Sequence, residues 1–184
     1  NPFLQKPQNE VMAFKKRERL ENSIVIGHIG RFMEAKNHSF LLEVMKSILR
    51  EDPSMKLLLV GEGHLKIEIE EEARRAGIEK NIRFVGVRDD IPTMMHSMDV
   101  FVFPSIYEGL GLVLLEAQAS SIPCIVSEAI QPEAERSLRD VAVVLATQRP
   151  LGLRRVRCDA RRRNAGTRKQ AVRRGRRRVF EVEV

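Results

Sequence analysis

The fold of this chain of 184 residues is decided by residues 100–120, which read VFVFPSIYEGLGLVLLEAQAS. The stretch begins with β-branched and aromatic residues, which predict a buried strand that stops at Pro104. Two glycines separated by one residue then lead into an apolar run over residues 111–120, which predicts a helix. A buried strand followed by a helix is the repeating unit of a parallel α/β fold.

Strands and helices alternate in the same way along the rest of the chain as far as residue 148. Asn37 is expected to cap one helix, and Gly77 is a natural end for the next. We therefore expect an α/β fold with a Rossmann-like, doubly wound parallel sheet over residues 23–148. Strands are predicted at 23–29, 56–60, 81–85, 100–103, 123–127 and 141–145, and helices at 37–50, 65–77, 91–98 and 111–120.

Charge and pattern divide the chain into three parts. Residues 1–148 hold 18 Lys and Arg against 22 Asp and Glu, a net charge of −4, whereas residues 149–184 hold 14 against 3, a net charge of +11. Residues 1–22 are polar and are expected to form a linker or lead-in helix outside the core. The Arg-rich residues 149–184 show no helical or strand period, so we expect a tail that is disordered or not native to the domain.

The location of the basic charge limits the partners that it implies. If residues 149–184 are native to the protein, they would contact polyanions or an anionic membrane surface by charge alone. Nucleic acid is disfavoured as the partner, because Phe180 is the one aromatic residue of this tail and offers no base-stacking pattern. No apolar run approaches the roughly 18 to 20 residues of a membrane-spanning helix, and residues 1–4 carry no signal pattern. A cytoplasmic location is expected, with peripheral attachment at the inner membrane as the alternative.

The candidate site lies in the loops after the strands, because parallel sheets bind ligands beyond the carboxyl ends of their strands. In residues 104–111, two glycines before a helix let backbone N–H groups approach a negatively charged group such as phosphate. Glu108 lies in this loop, and Glu116 lies in an otherwise apolar helix, where a carboxylate needs donors such as sugar hydroxyls. A purely structural glycine turn and a solvent-facing Glu116 are the alternatives.

Four motifs in order carry a resemblance to a known family. Residues 108–117, EGLGLVLLEA, with seven residues between the two glutamates, resemble the signature of retaining glycosyltransferases of family 4 in the group-1 glycosyl transferase superfamily. Residues 30–38, GRFMEAKNH, are similar to that family's Gly-Arg-x-x-x-x-Lys-Asn segment, and residues 59–63 and 84–86 match the strand ends between them. The resemblance extends over about residues 23 to 135 and is strongest to bacterial surface-polysaccharide members.

The resemblance implies a GT-B fold, of which this chain is the C-terminal, donor-binding half, and retaining transfer from a nucleotide-diphosphate sugar without a metal or cofactor. It implies that Arg31 and Lys36 hold the donor diphosphate, that Glu116 bonds the ribose, and that Glu108 contacts the transferred sugar as the catalytic residue. The family's N-terminal domain, with its acceptor site and a reactive-centre histidine, is missing, so the isolated chain is expected to be inactive. The other donor-binding residues that the resemblance implies are Gly61, Arg88, Gly109, Leu110, Gly111 and Leu112.

Three alternative interpretations compete with this one. Asp89 and Asp90 could be taken for a metal pair, but they are adjacent and stand where a helix N-cap is needed, so no metal is expected. A non-catalytic nucleotide-binding module with a polyanion-binding tail would keep the pocket without the reaction. The second domain of a nucleotide-sugar epimerase shares the GT-B fold, but the spacing of Glu108 and Glu116 argues against it.

Overall fold

A computed structural model describes residues 3–4, 8–109 and 111–127 and the backbone of the strand Val143–Ala146. Each strand and helix predicted above is present, with ends shifted by no more than two residues. The helices are α1 (Gln8–Arg17), α2 (His38–Glu51), α3 (Lys66–Arg75), α4 (Ile91–His96) and α5 (Leu112–Ala119). The strands are β1 (Val25–Ile29), β2 (Lys56–Val60), β3 (Ile82–Phe84), β4 (Val100–Phe103), β5 (Cys124–Ser127) and β6 (Val143–Ala146).

The strands form one parallel sheet in the order β3-β2-β1-β4-β5-β6. The chain builds outward from β1 to β3, then crosses back to place β4 on the other side of β1. This order makes the sheet doubly wound and confirms the Rossmann-like prediction. It also puts the topological switch point between β1 and β4, which is where such sheets open a crevice for a ligand.

Two apolar clusters cover the two faces of the sheet. Along β2, Leu57 and Leu59 belong to one cluster and Leu58 and Val60 to the other, because successive side chains of a strand point to opposite faces. Helices α2 and α3 pack on the first face, and α1, α4 and α5 pack on the second. Burying each such leucine contributes about 1.5–3 kcal/mol to the stability of the folded chain, so the packing on both faces stabilises the sheet.

The first 22 residues differ from the expectation that they lie outside the core. Residues 8–17 form helix α1, and Phe14 and Leu20 are 3% and 0% exposed within the core cluster that also holds Met94 and Phe101. The prediction underestimated this segment because Phe14 and Leu20 are separated by the run of charged residues from Lys15 to Arg19.

The predicted helix caps are right in position and partly wrong in chemistry. Asn37 stands at the N-cap of α2, but its φ of 54° is left-handed and its side chain makes no capping bond; instead its Nδ2 donates to the carbonyl of Pro104 at 3.4 Å. Asp90 at the N-cap of α4 also makes no side-chain capping bond. Gly77 has a φ of 71° just after α3, as a helix-ending glycine requires. Within the described part of the chain, every helix is too short or too polar to cross a membrane.

Candidate functional site

Backbone hydrogen bonds join the loops after β1, β2 and β3 at the carboxyl edge of the sheet. The N–H of Gly61 donates to the carbonyl of Gly86 at 2.8 Å, and that of Gly30 donates to Val60 at 2.9 Å. Gly61 has a φ of 139°, and a Cβ at this position would overlap the Gly30 carbonyl oxygen. Gly61 therefore has to be glycine because two loops pass against each other here.

The loops after β1 and β4 meet at the switch point. The N–H of Ile106 donates to the carbonyl of Ala35 at 2.9 Å, and the Asn37 side chain contacts the Pro104 carbonyl in the same crossing. These contacts join residues 30–37 to residues 104–111. Two candidate site residues that are 72 positions apart, Lys36 and Glu108, come into contact as a result.

Lys36 and Glu108 form a partly buried ion pair. Their side chains are only 16% and 17% exposed, and the Lys36 Nζ donates to the Glu108 Oε2. The Ser105 hydroxyl donates to the same oxygen at 3.4 Å, and the Lys36 Nζ lies 4.8 Å from the centre of the Phe103 ring. Two opposite charges that are this well shielded from water interact strongly, so the loss of either side chain leaves the other as a partly buried charge without its partner.

The N-terminus of α5 opens beside this pair. Gly111 adopts a φ of 57° at the N-cap, and its carbonyl accepts from the Leu114 N–H at 2.8 Å, which leaves the N–H groups of the first two helical residues without an acceptor in the helix. A Cβ on Gly109 would meet no atom of the described residues within 4 Å, so space is open there. Leu112 is 63% exposed, and Leu110 lies outside the described residues. This end of α5 offers N–H groups and the positive end of a helix dipole to an anion.

Glu116 lies half-buried on α5 and makes no side-chain hydrogen bond or ion pair with the residues that the structure describes. Burial raises the pKa of its carboxyl above the ordinary value. Leu112 and Leu115, on the same helix, are exposed. The helix thus presents apolar side chains to solvent while it keeps its one carboxylate partly covered, the reverse of an ordinary amphipathic helix.

The structure does not bring Arg31 and Arg88 into the Lys36–Glu108 cluster. Arg31 is exposed and has no side-chain partner among the described residues. Arg88 donates through Nε and Nη2 to the two carboxylate oxygens of Asp90, both at 2.8 Å, which raises the pKa of Arg88 and lowers that of Asp90. In the described residues no group of three His, Cys, Asp or Glu side chains is placed to hold a metal.

Sequence reasoning missed two contributors to this cluster. Ser105 is fully buried; its carbonyl accepts a hydrogen bond from the Ser127 hydroxyl, and its own hydroxyl reaches Glu108. Phe103 supplies the ring beneath the Lys36 ammonium. Neither carries a signal in the sequence, because a buried serine and a strand phenylalanine are ordinary core residues until the loops are in place.

The fold and site define a Rossmann-like α/β domain with a cation, a carboxylate and a helix N-terminus at its switch point. The sequence pattern of the glycosyl transferases group 1 family matches residues 11–136, and the chain belongs to this family.

Curated relatives and solved structures agree with this assignment. The chain is 44% identical over 115 residues to EpsF of Bacillus subtilis, which is named as a glycosyltransferase; the match covers 62% of this chain and 30% of EpsF. It is 36% identical over 109 residues to the UDP-Gal:alpha-D-GlcNAc-diphosphoundecaprenol alpha-1,3-galactosyltransferase of Escherichia coli, covering 58% of this chain and 28% of that enzyme. The chain thus spans about 30% of the length of these relatives.

A solved structure shows the same fold. HepE of Anabaena, crystallised in complex with UDP and glucose, superposes with a TM-score of 0.68 at 23% identity, over 79% of this chain and 40% of HepE. The described sheet therefore has the architecture of one Rossmann-like half of a GT-B structure.

Proposed function

We propose that this chain is the donor-binding domain of a retaining, metal-independent glycosyltransferase that uses a nucleotide-diphosphate sugar in polysaccharide or glycoconjugate synthesis. The observation that carries the proposal is the Lys36–Glu108 ion pair at the β1–β4 switch point, next to the N-terminus of α5. A cation and free N–H groups suit a diphosphate, and a carboxylate next to them suits the hydroxyls of the attached sugar.

Each residue has a distinct task in this proposal. When the bond between sugar and diphosphate breaks, negative charge accumulates on the leaving diphosphate. Lys36, the exposed Arg31 and the α5 N-terminus stabilise that charge through charge-assisted hydrogen bonds. Glu108 contacts the transferred sugar, and Glu116, half-buried and free of protein partners in the described residues, accepts hydrogen bonds from the ribose hydroxyls.

Uridine diphosphate is the nucleotide that we propose for the donor. HepE has been crystallised with UDP and with UDP-glucose, and the Escherichia coli relative is named for a UDP-galactose donor. The base would lie near Val87, which is 76% exposed just after the carboxyl end of β3.

Transfer itself requires a second domain in this proposal. The chain spans about 30% of its curated relatives, and a glycosyl acceptor has to be held in line with the donor for reaction. Such positioning can lower a barrier by roughly 7–11 kcal/mol. We expect the isolated chain to transfer no sugar from UDP-sugars and expect activity when a matching N-terminal domain is supplied. Robust transfer by the chain alone would contradict this part of the proposal.

Nucleotide affinity tests the pocket directly. Isothermal calorimetry should show that the chain binds UDP more tightly than UMP, because the second phosphate meets both cations. Each charge-assisted bond contributes about 1.5–3 kcal/mol, so Arg31→Ala should weaken UDP binding about tenfold or more.

The matched control for Arg31→Ala is Arg50→Ala, which removes an exposed arginine near the other end of α2. This variant should bind UDP as the unaltered chain does. Equal affinity of the unaltered chain for UDP and UMP would show that no second phosphate is bound at this edge.

A further inference from the structure

Two histidines lie buried beneath the loop that carries Arg31 and Lys36. His28 is in β1 and is 0% exposed, and His38 is the first residue of α2 and is 2% exposed. Their rings meet edge to face, with centroids 4.9 Å apart and planes at 88°. The other side of His38 stacks on Phe32, at 4.2 Å and 15°. The two histidines therefore connect β1 to the residue that directly follows Arg31.

The hydrogen bonds of this pair leave ring nitrogens available. His28 Nδ1–H donates to the Val102 carbonyl of β4 at 2.9 Å, so Nε2 carries the lone pair in the neutral ring. A Cβ on Gly30 would lie 2.8 Å from this Nε2 and 3.5 Å from the Lys36 Cδ, so the nitrogen faces the loop. His28 Nε2 and both nitrogens of His38 have no hydrogen-bond partner among the residues that the structure describes.

An ordinary core would not use histidine at these positions. Burial lowers the pKa of His28 to about 4 and that of His38 to about 3, so both rings are neutral near pH 7. Buried polar atoms nearly always have partners, and phenylalanine would fill similar space without the cost of unpaired nitrogens. Neutral imidazoles add no cation for a phosphate, but His28 still offers the lone pair of Nε2 to the loop, and His38 offers one N–H and one lone pair.

The stack links the switch point to the two cations of the loop. His28 is bonded to β4, His38 packs against His28, and Phe32 packs against His38. Arg31 precedes Phe32 directly, and Lys36 precedes His38 by two residues. These two rings therefore pack between β4 and the loop, which is also held by the hydrogen bond from the Ile106 N–H to the Ala35 carbonyl.

We propose that His28 and His38 are positioning residues that hold residues 30–36 in the conformation that receives the second phosphate of the donor. When the diphosphate is bound, the free ring nitrogens of the two histidines form hydrogen bonds with that loop. The inference rests on the proposed function, in which Arg31 and Lys36 hold the diphosphate. A merely structural pair would support the stability of the domain without favouring a diphosphate over a monophosphate.

The ratio of UMP to UDP dissociation constants, measured by calorimetry on the full 184-residue chain, separates these two roles. His38→Phe keeps an aromatic ring against Phe32 and removes the nitrogens. We expect it to weaken UDP binding about tenfold or more and UMP binding less than about twofold, as the loss of one charge-assisted bond at the second phosphate would do. His38→Gln, which returns an amide to the site, should recover part of the loss.

The control is Ile122→Ala, which opens a cavity at the amino end of β5, away from the loop. It should lower the melting temperature and leave the ratio unchanged. An unaltered ratio in folded His38→Phe would overturn the inference, whereas failure of the unaltered chain to bind UDP would overturn the proposed function instead.

Nitrogen-15 spectra of the histidine rings keep the inference testable if His38→Phe does not fold. In the unaltered chain, the ring nitrogens of His28 and His38 should shift on addition of UDP and should hardly move with UMP. Identical spectra with the two nucleotides would overturn the inference.

Discussion

Replacing Lys36 by alanine removes one partner of a half-buried ion pair and a proposed ligand of the donor diphosphate at the same time. Lys36 is 16% exposed and Glu108 is 17% exposed, so water compensates poorly for the lost ammonium. The Glu108 carboxylate would keep the hydrogen bond from the Ser105 hydroxyl and would face the incoming diphosphate with an uncompensated charge. The loss of UDP affinity should therefore exceed that of a single neutral contact.

The magnitude follows from the two contributions. A charge-assisted hydrogen bond to the diphosphate contributes about 1.5–3 kcal/mol, which corresponds to a loss of about 10- to 150-fold in Kd. Repulsion from the unpaired Glu108 carboxylate adds to this loss. Glu108→Gln should by itself leave UDP affinity nearly unchanged and remove discrimination between UDP-sugar and UDP, because Glu108 serves the sugar.

A double-mutant cycle by calorimetry with UDP separates the contributions. Because the double variant Lys36→Ala/Glu108→Gln lacks the repelling carboxylate, it should bind UDP more tightly than Lys36→Ala does. Residues in direct contact show coupling of about 0.5–3 kcal/mol, so the recovery should be at least about twofold. Purely additive effects in the cycle would refute the reasoning, as would an equal loss of UMP and UDP affinity in Lys36→Ala.

Three further predictions follow from the site and from the charge pattern. Glu116→Gln should weaken UDP binding about tenfold, because a neutral amide accepts hydrogen bonds from the ribose hydroxyls less strongly than a carboxylate does. Pyrophosphate, which has no ribose, should bind this variant unchanged in calorimetry. A parallel loss of pyrophosphate affinity would place Glu116 on the phosphate side. Burial lowers the pKa of His28 to about 4 and that of His38 to about 3, from about 6.5 in the unfolded chain. Below pH 6.5 the unfolded chain therefore binds more protons than the folded chain, so the free energy of unfolding is at its full value only above pH 6.5. Each histidine should then cost up to about 1.4 kcal/mol of unfolding free energy per pH unit as the pH falls from 6.5 toward these values, and urea titrations should show a shallower loss for His38→Phe; identical pH slopes would contradict the assignment. Deleting residues 149–184, which carry a net charge of +11, should leave UDP affinity unchanged and lower the affinity for anionic vesicles. The vesicle affinity of the full chain should itself fall steeply between about 50 and 200 mM salt. Loss of UDP binding on deletion would show that this segment supports the site.

The order and type of the secondary structure were determined by the sequence alone. Runs such as Val100–Phe103 and the apolar stripe of α2 are local patterns, and a local pattern needs no knowledge of distant residues to be read. The edge of the sheet that holds the site was predictable for a related reason, since parallel strands bring all their carboxyl ends to one edge. The group-1 glycosyl transferase family followed from the spacing of motifs within residues 30–38 and 108–117, and the family match confirms it, whereas family 4 and the retaining stereochemistry stay predictions.

The partners of individual side chains were decided only by the tertiary structure. Asn37 was expected to cap its own helix, yet it reaches the Pro104 carbonyl, because the loops after β1 and β4 cross at the switch point. Arg88 binds the carboxylate of Asp90 at 2.8 Å, two residues away, a pairing that the sequence did not indicate, and its contact with the donor stays a prediction.

The two contacts on which the proposals rest join residues far apart in the chain. Lys36 meets Glu108 across 72 positions, and His28 bonds Val102 across 74. No periodicity within a segment can specify such a pair, since it depends on which strands become neighbours. The chain acquires these contacts only when β4 crosses back beside β1, and that crossing brings a cation, a carboxylate and two neutral histidines to the carboxyl end of these two strands.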